Sequence, residues 1–248
     1  MIHGPLELLF VSVVVAGAAA VKGTIGFGFP LIAVPLLATV LGPRVAVPMI
    51  AIPTLLSNLI VAAHRRSAGG AGAHVAVLAG LLVGTVAGAL LITVLDPRVL
   101  SVLVGGIALL YVVATAFRLT VLVPVSVGRR VGPFVGLAAG VMGGATGIFA
   151  PLLASYLHML QLAKREFVFW ITVMFTVSNI AQVASYLRLG LYAGPVLGTS
   201  LLACLPMALG TWLGLVLQDR LNQEVFSRIV LAIVALASLN LLLRGLLG

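Results

Sequence analysis

Apolar residues dominate this chain in long unbroken runs, separated by short polar gaps. Six runs have a length that suits one membrane crossing: residues 45–63, 75–95, 99–117, 168–187, 195–217 and 226–243. A hydrocarbon core about 30 Å thick takes roughly 20 helical residues to cross. The gaps include His64-Arg65-Arg66, Asp96-Pro97-Arg98, the segment 118–130, Arg188 and the segment 218–224. No run alternates apolar and polar positions as a barrel strand would, so the runs predict helices. Two further regions fit no single span. Residues 6–41 are apolar almost throughout, yet as one helix they would extend about 54 Å at about 1.5 Å per residue. Gly23-Thr24-Ile25-Gly26-Phe27-Gly28-Phe29-Pro30 interrupts them. Residues 134–162 repeat the design around Gly143-Gly144-Ala145-Thr146-Gly147-Ile148-Phe149-Ala150-Pro151. Clustered glycine ends a helix and proline starts the next, being pre-set for the first helical turn. Each region therefore predicts a half-helix, a break and a second half-helix.

The chain also matches itself. At an offset of 121, Gly23 falls on Gly144, Gly26 on Gly147, Pro30 on Pro151, Arg44 on Arg165, and Ser57-Asn58 on Ser178-Asn179. At 126, Gly84-Thr85 meets Gly210-Thr211, Gly88 meets Gly214, and Val99, Ser101 and Arg118 meet Val225, Ser227 and Arg244. Matches among Leu, Ala and Gly count little in so apolar a chain; the polar and proline matches in one register carry the duplication. The expected organisation is a membrane repeat over 1–120, a linker over 121–131 and a second repeat over 132–248.

Composition agrees with this class. Of 248 residues, 62% are hydrophobic and 8% charged, against about a quarter charged in a soluble domain. The surplus faces lipid. Lysine and arginine number 14 against 5 acidic residues, but they are dispersed through the gaps rather than gathered on one face. That argues for topology signals and against nucleic-acid binding. If each broken element returns to its starting side, nine basic residues (Arg65, Arg66, Arg118, Arg129, Arg130, Lys164, Arg165, Arg220, Arg228) oppose four (Arg44, Arg98, Arg188, Arg244). If it crosses, the split is seven to six. Cytoplasmic loops carry the excess of Lys and Arg, so the stronger bias selects inverted repeats with both termini outside. The expected fold is thus all-α and integral to the membrane: two homologous, inverted repeats, each with a broken helical element and three spanning helices.

Inverted repeats with broken helices place a transport site where the breaks meet. A helix beginning at Pro30 or Pro151 points unpaired N–H groups and the positive end of its dipole into the break. Glycines let an anion approach the backbone. The candidate substrate-binding residues are Lys22, Gly23, Thr24, Gly26, Gly28 and Pro30 at the first break, and Gly144, Thr146, Gly147 and Pro151 at the second. Ser57, Asn58, Ser178 and Asn179 join them as recurrent polar pairs inside spans, either bracing the breaks or contacting substrate. Lys22 either meets the ligand or snorkels to an interface. Gly84, Gly88, Gly210 and Gly214, at spacing four, read as helix packing. Gln182, Tyr186 and His158 have no counterpart in the first half. Glu7, Asp96, Glu166, Asp219 and Glu224 fall at ends or loops, so no mid-span carboxylate is present to relay protons or sodium. The four histidines lack metal-ligand spacing, Cys204 reads as a small buried hydrophobe, and no nucleophile motif or P-loop suggests an enzyme. No metal or other cofactor is expected.

The first break and its echo resemble the TauE/SafE sulfite-exporter family, over essentially the whole chain. That resemblance implies a bacterial inner-membrane permease moving sulfur-containing anions such as sulfite, sulfonates and sulfoacetate. It carries over to the two glycine breaks and the Ser-Asn pairs alone, the second break being the looser copy through Ala145 and Ala150. The expected partners are a small anionic substrate and the lipid bilayer, with a homodimer left open. The alternatives are a passive anion channel, or a carrier of another small anion or sulfur compound.

Overall fold

The computed structural model describes residues 4–25, 28–63, 74–117, 125–217 and 223–247. Among these every regular element is a helix: α1 (Pro5–Ile25), α2 (Phe29–Leu41), α3 (Pro43–Ala63), α4 (Val75–Val94), α5 (Pro97–Ala116), α6 (Val125–Thr146), α7 (Ala150–Met159), α8 (Lys164–Arg188), α9 (Pro195–Leu202), α10 (Cys204–Leu217) and α11 (Gln223–Leu247). Seven helical stretches among the described residues are long and apolar enough to cross a membrane. Their outward faces stay apolar: Leu90 and Val94 on α4, Leu209 and Trp212 on α10 and Leu236 on α11 are all exposed. In water such a surface would be costly. Against hydrocarbon it is the ordinary solvent-facing side.

The predicted spans over 45–63, 75–95, 99–117, 168–187 and 226–243 correspond to α3, α4, α5, α8 and α11. One expectation needs correction. The regions around the glycine clusters are not pairs of half-helices. Their first members, α1 and α6, are full length at 21 and 22 residues, and only α2 and α7 are short, at 13 and 10. Gly23 and Gly144 do not break their helices because both are packed against another helix, described below. α6 begins at residue 125, inside the segment 121–131 expected to join the two repeats. The span over 195–217 also stands as one membrane-crossing stretch, with a turn at Ala203 between α9 and α10. Pro206 cannot donate to the carbonyl of Leu202, which interrupts the ladder there.

The duplication recurs in the packing. The first helix of each half lies against the fourth position of the other, α1 on α10 and α6 on α4, while α3 packs on α8 and α5 on α11. The contacts match residue by residue. A side chain at Gly210 would meet the carbonyl of Ala16, and one at Gly214 that of Ala20. The same positions in the other half, Gly84 and Gly88, face the carbonyls of Leu137 and Val141. Gly23 faces Thr211 and Gly214, and Gly144 faces Thr85 and Gly88. These are the interlocks expected of small residues at spacing four, where bare backbone lets helices approach.

One end of the bundle gathers Arg44, which donates to the Leu95 carbonyl at 2.7 Å, and Arg244, which donates to that of Thr39 at 2.7 Å. The ends of α2, α4 and α11 and the start of α3 therefore share a side. That is compatible with halves of opposite orientation.

Candidate functional site

The two breaks face one another across a small cavity. At the first, Gly28 adopts φ 99°, in the left-handed region that favours glycine, and precedes α2 with Pro30 in its first turn. At the second, Gly147 adopts φ 76°, and α7 begins just beyond with Pro151 in its first turn. Neither short helix has a side-chain cap at its N-terminus. The cavity, about 20 Å³, is lined by Gly28, Pro30 and Leu31 from the first break and by Gly147, Ile148, Phe149 and Ala150 from the second. Lys22 of α1, Thr54 and Asn58 of α3, and Phe175 and Asn179 of α8 complete the wall. Two of these pairs, Asn58 with Asn179 and Thr54 with Phe175, are counterparts at the 121-residue offset.

A continuous chain of side-chain hydrogen bonds crosses the site. Lys22 Nζ donates to Asn58 Oδ1 at 2.5 Å, and Asn58 Nδ2 donates to Asn179 Oδ1 at 2.7 Å. Asn179 Nδ2 donates to Gln182 Oε1 at 3.1 Å. Gln182 Nε2 in turn donates to the Gly143 carbonyl at 2.9 Å and to Tyr186 Oη at 2.8 Å. Tyr186 Oη ends the chain on the Gly144 carbonyl at 2.6 Å. Every amide accepts on one side and donates on the other, so the bonds polarise in one direction. Equivalent asparagines from the two halves thus meet directly, between α3 and α8.

Lys22 does not snorkel. It is 4% exposed, and among the described residues no carboxylate is in the cavity wall. A buried cation without a counter-charge is costly. Two helix N-termini, each carrying roughly half a positive charge, face the same space. The described wall of the cavity thus combines a buried lysine with the N-termini of two short helices.

The other expected site residues distribute as follows. Thr24 donates to the Val21 carbonyl at 2.8 Å within its own helix and stands off the cavity wall. Thr146 donates to the Met142 carbonyl at 2.7 Å and accepts from the Ile148 N–H at 3.2 Å, shaping the second break. Ser178 donates to the Met174 carbonyl at 2.6 Å. Ser57 is fully buried, and its hydroxyl has no partner among the described residues. Gly23 and Gly144 serve helix packing rather than the cavity, and Pro151 lies beside it without lining it. Gly26 lies outside the described residues. His158 is exposed and stacks on Phe167, with ring centroids 4.5 Å apart, away from the site.

Sequence reasoning overlooked Thr54 and Phe175. The available signal was spacing: each stands four residues before a candidate asparagine, so it shares that residue's helical face. Among the described residues, no group of three or more His, Cys, Asp or Glu is placed to hold a metal ion.

Residues 9–241 match the family described as sulfite exporter TauE/SafE, and the chain belongs to that family. No curated protein and no solved structure matches it.

Proposed function

We propose that this TauE/SafE-family membrane protein is a secondary transporter of small sulfur-containing anions, of the sulfite, sulfonate and sulfoacetate type, working by alternating access around its two breaks. The observation that carries this reading is Lys22, buried in the cavity wall beside the N-termini of α2 and α7, with no carboxylate among the described residues there to neutralise it. An incoming anion supplies the missing charge. Its oxygens accept from the ammonium, from backbone N–H groups of the short helices and from the amide edges of Asn58 and Asn179. Leu31, Ile148 and Phe175 exclude water, which strengthens each of those interactions. In a bacterial inner membrane, the nine-to-four arginine and lysine distribution argues for both termini outside.

The cavity's size supports a carrier over a passive channel. About 20 Å³ holds one water-sized group and is no open pore. The test is counterflow in proteoliposomes, with sulfite and small organosulfonates on the two sides. Saturable exchange is expected. Gly147→Leu, which forces a side chain into a positive-φ position at the break, is expected to abolish exchange while membrane insertion is preserved. Wild-type exchange by this variant refutes the site assignment, and unitary currents in place of counterflow identify a channel.

A further inference from the structure

We infer that Gln182 and Tyr186 are positioning residues that brace the second break, so that the first break supplies the ligand-facing cation and the second a fixed wall. The carbonyls in the last turn of a helix have no partner four residues on. At the end of α6 the Gly147 N–H reaches the Gly143 carbonyl at 2.6 Å, and Gln182 adds a second bond to that oxygen. The usual donor to the Gly144 carbonyl would be the N–H of Ile148, which instead meets Thr146 Oγ1. Tyr186 Oη takes its place at 2.6 Å. Gln182 and Tyr186 stand four residues apart on one face of α8, both buried, and together cap α6 where the chain turns into the break.

The two breaks exchange bulk and charge at equivalent positions. Lys22 corresponds to Gly143, and Gly28 to Phe149. The first break therefore has a cation and a bare backbone. The second has a bare backbone at Gly143, against which the Phe149 ring closes; a side chain at Gly143 would meet that ring. The brace also has a line to the cavity, because Gln182 accepts from Asn179, which lines it. Neither Gln182 nor Tyr186 lines the cavity. They act through residues 143–149 and do not touch the anion.

This inference rests on the transporter reading, and the experiment separates the two. Tyr186→Phe removes only the hydroxyl; Gln182→Met removes all three hydrogen bonds of the amide at similar volume. In full-length protein in proteoliposomes, both are expected to leave KM for sulfite counterflow and Kd for sulfite within threefold of wild type and to lower the maximal rate at least tenfold. Hydrogen exchange at residues 147–149 is expected to rise at least fivefold, with residues 28–31 unchanged. An unchanged rate with unchanged exchange overturns the brace. So does a Kd that weakens in step with the rate, which makes these residues ligands, or exchange that rises equally at both breaks, which makes their role general stability. If wild type moves and binds no anion of the panel while the exchange contrast holds, the transporter reading fails and the brace stands.

Discussion

Replacing Lys22 by methionine separates an anion-binding role from a structural one, because the first predicts a large loss of affinity with little change in stability and the second a large loss of stability. The substitution keeps an unbranched side chain of similar length and removes the charge. Two unit charges at about 4 Å interact by roughly 4 kcal/mol at the effective dielectric suited to protein sites. Lys22 is 4% exposed, so solvent screening takes little from that figure. Turning toward an anion loosens the 2.5 Å bond to Asn58, a net loss of about 1 to 1.5 kcal/mol. About 2.5 to 3 kcal/mol remains, which is roughly a hundredfold in Kd. Without anion, the variant no longer buries an unpaired cation, and such replacements are neutral or stabilising. Against that, Asn58 Oδ1 loses its donor, at a cost of about 1 to 3 kcal/mol. The two terms nearly cancel, so the melting temperature should move by no more than a few degrees. Sulfite titration calorimetry and thermal unfolding of purified protein measure both quantities. A Kd within threefold of wild type refutes the placement of the anion at Lys22. A melting temperature lowered by ten degrees or more refutes the claim that the cation is unneeded by the fold.

Three further substitutions test the frame around the site. Gly84→Leu drives a side chain against the Leu137 carbonyl on α6 and is expected to cost at least about 3 kcal/mol, at the upper end for overpacking. Gly17→Ala, inside α1 with nothing within 4 Å, is expected to cost nothing and to add up to about 1 kcal/mol of stability in thermal unfolding. Ser200→Ala removes the 2.7 Å bond from Ser200 Oγ to the Met49 carbonyl. That oxygen has no backbone donor four residues on, because residue 53 is proline, so a loss of about 1 to 3 kcal/mol is expected in denaturant unfolding.

How far the sequence discloses this molecule depends on which force shapes each part. The spans were legible because lipid imposes a length and a composition on any helix that crosses it, and α3, α4, α5, α8 and α11 follow from that alone. The breaks were legible as a pattern, but their extent was not. A glycine that ends a helix and a glycine that lets two helices touch look alike in one chain. Gly23 and Gly144 are of the second kind, which only their contacts with α10 and α4 reveal. The start of α6 was hidden by Arg129 and Arg130, whose charges read as a linker. Within the site, Asn58 and Asn179 stood out because they recur. Thr54 and Phe175 occupy equivalent positions with unlike side chains, so self-comparison passes over them. Gln182 and Tyr186 are invisible to it, since the first half has no counterpart, although both end up holding the second break.

The same packing that fixes the site constrains how it can enlarge. About 20 Å³ accommodates a water and no anion with three oxygens, so on the transporter reading the cavity must widen for substrate to enter. α1 with α10, and α4 with α6, are in backbone contact through their glycines, which leaves no slack for sliding within a pair. Each pair must move as a unit. The contact between α3 and α8 differs in kind: across the cavity it depends on the Asn58–Asn179 hydrogen bond, worth about 1 kcal/mol net. The two helices are also unequal. α3 contains Pro48 and Pro53, each of which removes a rung of the hydrogen-bond ladder and lowers the cost of bending. α8 runs 25 residues without a proline and carries the side chains that cap α6. On the transporter reading, widening therefore falls to the α3 side of the cavity, beside Lys22, while α8, which caps α6 at the second break, is the part against which that side moves.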